Sequence, residues 1–155
     1  MIEVGAKAPA FSVSDHHGKT VSLSSLAGKK VILWFYPKAD TPGCTAEGCA
    51  FRDRAAEFEK LGAAIYGVSF DTVEENAAFA RKFGFEFPLL CDTDRALGLA
   101  YGACETAQDT YAKRIGYLIS ETGMVLKAFP KVDAATFPEQ MLALIASEAK
   151  QSRRS

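Results

Sequence analysis

Two cysteines, Cys44 and Cys49, lie five positions apart in the stretch KADTPGCTAEGCAF. The spacing is neither the C-x-x-C of a dithiol redox pair nor that of a zinc knuckle. Thr41-Pro42-Gly43 precedes the first cysteine. The apolar positions that follow, Cys44, Ala50 or Phe51, Ala55, Phe58 and Leu61, recur at helical spacing up to a stop at Gly62. Cys44 therefore falls in the first turn of a helix, where unpaired backbone N–H groups and the positive dipole end favour a thiolate. The thiolate is the nucleophilic form of cysteine. Position alone leaves two readings open: a reactive thiolate, or a buried and inert thiol at a helix start. Five residues along a helix give a rise of about 7.5 Å and a rotation of about 140°, so the Cα atoms stand roughly 8–9 Å apart. A disulfide needs them within about 7 Å. The pair cannot bond while the helix is intact.

A thiolate that attacks an O–O bond needs donors for the departing oxygen and a wall against bulk water. Thr41 offers a hydroxyl three residues before Cys44, and the backbone N–H groups around Gly43 and Cys44 offer fixed donors. Pro37 and Pro42 make a rigid turn without N–H groups of their own. The stretch lacks a cation. Arg114, at the head of RIGYLI, is a candidate because a charge at the start of a buried strand needs a partner. On spacing alone an ordinary ion pair or an exposed strand end accounts for it better.

The elements that position these residues follow from the pattern. PAFSVSDHHGKTVSLSSL alternates about His17-Gly18-Lys19 and predicts a hairpin. VILWFYP predicts a buried central strand stopped by proline, and AAIYGVSF a second buried strand. VEENAAFARKF is a helix with Glu74 and Glu75 in its first turn and Arg81 and Lys82 in its last. FPLLCD is a short strand and DRALGLAYG a short helix. KRIGYLIS and MVLKAFP pair across Glu121-Thr122-Gly123, and DAATFPEQMLALIASEAK is a terminal amphipathic helix. Alternating strands and helices require helices on both faces of a sheet, with a right-handed crossover between the first two long strands. The expectation is an α/β chain of the thioredoxin-like fold, with a central mixed β-sheet flanked by helices and an N-terminal β-hairpin. Residues 1–150 form a single domain and 151–155 a short basic tail.

The chain has 155 residues, a net charge of −1 and 48% hydrophobic residues, enough to bury one core without disulfides. The near-neutral balance gives no footprint for nucleic acid. There is no basic-then-apolar leader and no apolar run long enough to span a bilayer. A cytoplasmic protein is expected, in which four cysteines serve chemistry or burial rather than a disulfide framework. His16 and His17 are read as exposed turn residues, since no other histidine exists to complete a metal site. Cys91 and Cys104 are read as buried bystanders, with a backup role for Cys104 left open. Zinc held by the four cysteines has neither spacing nor histidines in its favour. A disulfide exchanger would normally carry C-x-x-C, which is absent.

FYPKADTPGCTAEGC resembles the active-site signature of peroxiredoxins, P-x-x-x-T-x-x-C, filled here by Pro37, Thr41 and Cys44. The longer T-P-G-C-T-x-E-x-C followed by F-R-D is similar to the bacterioferritin-comigratory-protein or Q-type subfamily, matched by Cys49, Phe51, Arg52 and Asp53. APAFSVSDHHGKTVSLSSLAGKKVIL, FPLLCDTD and RIGYLI extend the resemblance over nearly the whole chain. The family places its arginine at R-x-x-[FY]-[LV]-I, which Arg114 fits and Lys113 does not. The resemblance implies a thiol peroxidase acting on hydrogen peroxide and organic hydroperoxides, with no metal, haem or flavin. Cys44 would be the peroxidatic thiol, Thr41 and Arg114 would bind and polarise the peroxide, and Pro37 would shield the thiolate. Members differ in where the resolving cysteine lies. Here the helix near Glu74 to Phe83 has none, so Cys49 is the matched candidate, for an intramolecular Cys44–Cys49 disulfide. Gly43 and Gly48 would ease the unwinding this requires. Thioredoxin, or glutaredoxin, is the implied reductant, and a monomer the implied state.

Overall fold

Residue parity in one strand organises the molecule. β3 (Lys30–Phe35) is buried on both sides, so its alternating side chains belong to two separate cores. Ile32, Trp34 and Tyr36 face one core, and Val31, Leu33 and Phe35 face the other. Such a strand must be covered twice, which is why its sequence is continuously apolar rather than alternating.

The computed structural model describes residues 1–154, and for 150–154 the backbone only. The side chains of the basic tail expected at 151–155 thus lie outside the described residues. A hairpin of β1 (Ser12–Ser14) and β2 (Thr20–Ser22) comes first. After β3 come α1 (Pro42–Lys60), β4 (Ala63–Ser69), α2 (Val73–Phe83), β5 (Leu89–Cys91) and α3 (Ala96–Tyr101). β6 (Gly116–Ile119), β7 (Val125–Phe129) and α4 (Phe137–Arg154) complete the chain. The central sheet has the order β5-β4-β3-β6-β7. β3 runs parallel to β4, β4 parallel to β5, and β6 is antiparallel to both β3 and β7. The sheet is mixed, as expected, because the chain switches from helical crossovers to a hairpin after α3. Among the described residues no helix is long and apolar enough to cross a membrane.

α1, α2 and α4 lie on the face of Trp34 and contribute Phe51, Phe58, Phe79, Phe137, Met141 and Ile145. α3 and the N-terminal hairpin cover the opposite face with Leu97, Tyr101 and Val21. α2 begins with a full capping box, the Thr72 hydroxyl accepting the Glu75 N–H while the Glu75 carboxylate accepts the Thr72 N–H. Gly84, at φ 69°, ends it in the left-handed conformation that glycine tolerates.

The hairpin corrects one expectation. His16 is buried, and its Nδ1 accepts the Leu89 N–H at 3.0 Å. The turn is not free in solvent because Asp15 bridges Leu90 and folds the hairpin tip onto the end of β5. His17 stays exposed, its ring 4.0 Å from that of His16. Burial first, then the neighbouring His17, lowers the pKa of His16, while Asp15 opposes them. A depressed histidine leaves the unfolded chain holding more protons below the ordinary value of about 6.5, so stability is complete above that pH and declines as pH falls below it. In urea unfolding between pH 7 and 5 this decline is opposed by Glu47, whose raised carboxyl favours the folded state as pH falls, so it is read as the difference between two profiles. His16→Asn, which keeps an acceptor near the Leu89 N–H but does not titrate, is expected to lose less stability, or gain more, than the wild type as pH falls. An unchanged slope in the variant would remove His16 from the account.

Candidate active site

The end of β3 delivers the chain into a short loop, Pro37 to Thr41, and then into α1. Thr41 is the N-cap residue, with extended φ −102° and ψ 156°. Pro42 takes the first helical position, where a missing N–H is harmless. An N-cap threonine ordinarily accepts a hydrogen bond from the second or third helical N–H. Thr41 does not; its hydroxyl donates instead to the Lys38 carbonyl at 2.7 Å. The N–H groups of Gly43 and Cys44 are therefore left without the side-chain cap that would have consumed one of them, beside a thiol in the same turn.

Cys44 is fully buried, and its Sγ lies 3.3 Å from Nη2 of Arg114. Strand parity brings the arginine there. Leu118 belongs to the α1-side core and Tyr117 to the other, so Gly116 and Arg114 fall on the α1 side. Pairing continues one step beyond β6, the Phe35 N–H donating to the Ile115 carbonyl at 2.9 Å, so this register reaches the arginine. Two glycines make room here, one for Arg114 and one for Phe137. A Cβ on Gly43 would stand 2.9 Å from Arg114 Nη2, and one on Gly116 would stand 2.5 Å from Phe137 Cζ.

The partner demanded by Arg114 is Glu47, whose Oε1 accepts from Nη1 at 2.6 Å. Glu47 is completely buried, one helical turn after Cys44 and so on the same face of α1. Burial pushes its carboxyl up to about 8, against the opposing pull of Arg114. Oε2 has no hydrogen-bond partner among the described residues. One planar guanidinium thus spans two groups of α1, a carboxyl and a sulfur, and its fork geometry fixes the donor aimed at the sulfur.

A buried thiol beside a cation, in a helix turn whose first N–H groups carry no side-chain cap, suits chemistry on a small, polar, electrophilic oxygen. Residues 4–128 match the model of the AhpC/TSA family. The chain belongs to that family. It is 39% identical over 136 residues to peroxiredoxin Bcp of Bacillus subtilis, covering 84% of this chain and 87% of that one. Two solved structures from Xanthomonas campestris are similar. One is a bacterioferritin comigratory protein studied for alkyl peroxide reduction, at TM-score 0.87 and 34% identity, covering 95% of this chain and 99% of that one. The other is a peroxiredoxin Q, at TM-score 0.84 and 36% identity, covering 90% and 91%. The chain is a peroxiredoxin of the Bcp/Q type, a thiol peroxidase on a thioredoxin fold.

Around Cys44 the peroxiredoxin assembles Thr41, Gly43, Arg114 and Glu47. Pro37 follows β3 directly and is half-buried. Cys49 is half-buried, packs against the α1-side core and, like the other three cysteines, is free, while α1 runs unbroken from Pro42 to Lys60. Cys91 and Cys104 are buried, and burial raises both thiols above their ordinary value. Cys104 lies in the core on the opposite face of the sheet from Cys44. Glu47 was legible as a position within T-x-E-x-C but not as a partner. The clue lay in its spacing: an acid three residues from Cys44 on an apolar helix face calls for a buried cation.

Gly43 and Gly48 also do more than weaken the helix. A Cβ on Gly48 would stand 2.5 Å from Phe85 Cζ. Gly43→Ala is expected to push the guanidinium away from Sγ and to lower the rate of Cys44 oxidation roughly tenfold, with little change in melting temperature. Gly48→Ala is expected to do the reverse, lowering the melting temperature through overpacking against Phe85. Stopped-flow oxidation and thermal unfolding on both variants check the division. Equal effects of the two substitutions would refute it.

Proposed function

We propose that Cys44 is the peroxidatic thiol and Cys49 the resolving one. The observation that carries this reading is the Arg114 Nη2 contact at 3.3 Å to a buried Cys44 Sγ at the start of α1. A cation held there by Glu47 stabilises negative charge on sulfur before reaction and on the departing oxygen during it.

The cycle runs in three steps. The Cys44 thiolate attacks the terminal oxygen of a hydroperoxide; the S–O bond forms, the O–O bond breaks, and the leaving oxygen takes a proton to depart as water or an alcohol. The Thr41 oxygen accepts from the peroxide O–H, and Arg114 with the Gly43 and Cys44 N–H groups receives the developing charge. Pro37 shields the thiolate from water. Cys44 is left as a sulfenic acid. The Cys49 thiol then displaces its hydroxyl as water and forms the disulfide. A dithiol reductant of the thioredoxin class, or a glutaredoxin, returns both cysteines to thiols by exchange. The reading extends to a monomeric, cytoplasmic enzyme whose single domain spans 1–150, active on hydrogen peroxide and organic hydroperoxides without metal or cofactor.

The second step demands motion. Cys44 and Cys49 are free in an unbroken helix, and an intact helix holds their Cα atoms too far apart to bond. The first turns of α1 must unwind after oxidation. One equivalent of hydrogen peroxide is expected to consume two thiols in the wild type, with mass mapping giving a Cys44–Cys49 bond. Cys44→Ser is expected to abolish peroxide reduction. Cys49→Ser is expected to lose one thiol at a near-normal rate, yet fail to turn over with thioredoxin. Amide exchange should rise sharply across 43–49 on oxidation. A disulfide formed with those amides still protected would overturn the unwinding.

A further inference from the structure

The loop that carries Thr41 is tied to α2 by a group of polar side chains centred on Asp71. Asp71, 3% exposed, sits between β4 and α2. Its Oδ2 accepts the Ala39 N–H at 2.8 Å and the Ser69 hydroxyl at 2.8 Å. Its Oδ1 pairs with Lys38 Nζ at 2.5 Å, and the same ammonium reaches Glu75 Oε2, in the first turn of α2, at 2.6 Å. Ser69 continues the group to Asn76, whose Nδ2 donates to the Ser69 hydroxyl at 3.1 Å and whose Oδ1 accepts from Tyr36 at 2.6 Å.

One peptide plane connects this group to the site. The Ala39 N–H and the Lys38 carbonyl belong to the same rigid unit and point to opposite sides of it. Asp71 holds the N–H side. The carbonyl side takes the proton of the Thr41 hydroxyl. A carbonyl only accepts, so the hydroxyl must donate, and a hydroxyl has one proton. Its oxygen is thereby left with lone pairs alone, able to accept from a peroxide O–H and unable to donate toward the thiolate. If the peptide rotated, Thr41 would be released to cap the helix or to turn its proton inward. Asp40, next in the chain, sits at φ 59°, a left-handed turn that aspartate tolerates.

We propose that Lys38 and Asp71 are positioning residues that lock the 38–39 peptide plane and so hold Thr41 as a hydrogen-bond acceptor for the peroxide. The ammonium fixes the carboxylate, the carboxylate fixes the N–H, and the opposite carbonyl takes the only proton Thr41 has. Glu75 anchors the ammonium from α2. The pairing is mutual: hydrogen bonds from Lys38 and then from Thr72 hold Glu75 down at about 2, and pairing with Asp71 and then Glu75 raises Lys38 above its ordinary value. The assignment rests on Cys44 being the thiolate that meets the peroxide.

Two reactions of the same sulfur separate positioning from general loosening. Peroxide reduction uses the Thr41 acceptor; alkylation by iodoacetamide does not. Both rates are followed at Cys44 by mass spectrometry of the full chain, alongside melting temperature. Lys38→Met is expected to slow peroxide reduction roughly tenfold and to leave alkylation within about twofold. Lys38→Arg, able to reach both carboxylates, is expected to restore most of the loss. Asp71→Asn keeps an acceptor for Ala39 without the ion pair and is expected to fall between them. In a Thr41→Val background Lys38→Met should add nothing, because the acceptor it positions is gone. Equal losses in both reactions, a full further loss in the Thr41→Val background, or no loss in Lys38→Met would each overturn the assignment. A wild type that meets peroxide no faster than free cysteine would instead overturn the reading of Cys44 itself.

Discussion

A guanidinium has to be brought to a buried sulfur, and most of the local architecture follows from that requirement. Arg114 cannot sit inside the protein alone, since an unpaired buried charge is costly. Its second contact is Glu47, from the same helix turn that carries the sulfur. The carboxyl is itself so buried that its affinity for a proton rises, which makes the pair expensive to desolvate. The structure accepts that cost because a cation held on one side by α1 is already oriented toward Cys44 on the other. Arg114 comes from the head of β6, so the contact also staples the sheet to the start of α1.

The two ends of the site are held by different means. Arg114 is placed by strand parity and by the absence of a Cβ at Gly43. Thr41 sits on a loop that has no regular hydrogen-bonding pattern, and in the proposal above its geometry is borrowed from the carboxylate of Asp71. Sheets fix side-chain direction through register, and a loop needs explicit polar contacts to do the same. The site therefore depends on one face of the sheet for its cation and on the β4–α2 junction for its hydroxyl. Both junctions lie at the strand ends where sites gather in open α/β folds.

Much of this was legible in the sequence. Continuous apolar runs placed β3 and β4, charge at the ends of VEENAAFARKF placed α2, and T-P-G-C placed Cys44 in the first turn of α1. What the sequence withheld were pairings across elements. Glu47 and Arg114 are 67 positions apart, and Ala39 and Asp71 are 32 apart; nothing in either local pattern names the other. His16 was misjudged for the same reason. A turn residue reads as exposed from its neighbours, but the hairpin tip is covered by β5, whose approach depends on the whole sheet. The glycines of α1 were read as weak points; the structure adds that each also makes room for a side chain from elsewhere.

Helix α1 is built to be firm and to fail at one end. Its later turns are fastened by Phe51 and Phe58 in the core, and by Arg54, which pairs with Glu57 at 2.9 Å and with Glu139 of α4 at 2.7 Å. Its first two turns hold two glycines and a proline, with no acidic residue in the first turn to complement the dipole. They are secured by the site: Arg114 on Cys44 and Glu47, and the fit of Phe85 against Gly48. In the cycle proposed above, oxidation of Cys44 to a sulfenic acid changes the sulfur that Arg114 Nη2 faces at 3.3 Å and so loosens the hold on the turns that must open, while Phe51 and Phe58 keep the rest of the helix in place. Cys49 lies on the boundary between the two regions, two residues before Phe51, and in that cycle it stays with the anchored part while Cys44 moves toward it.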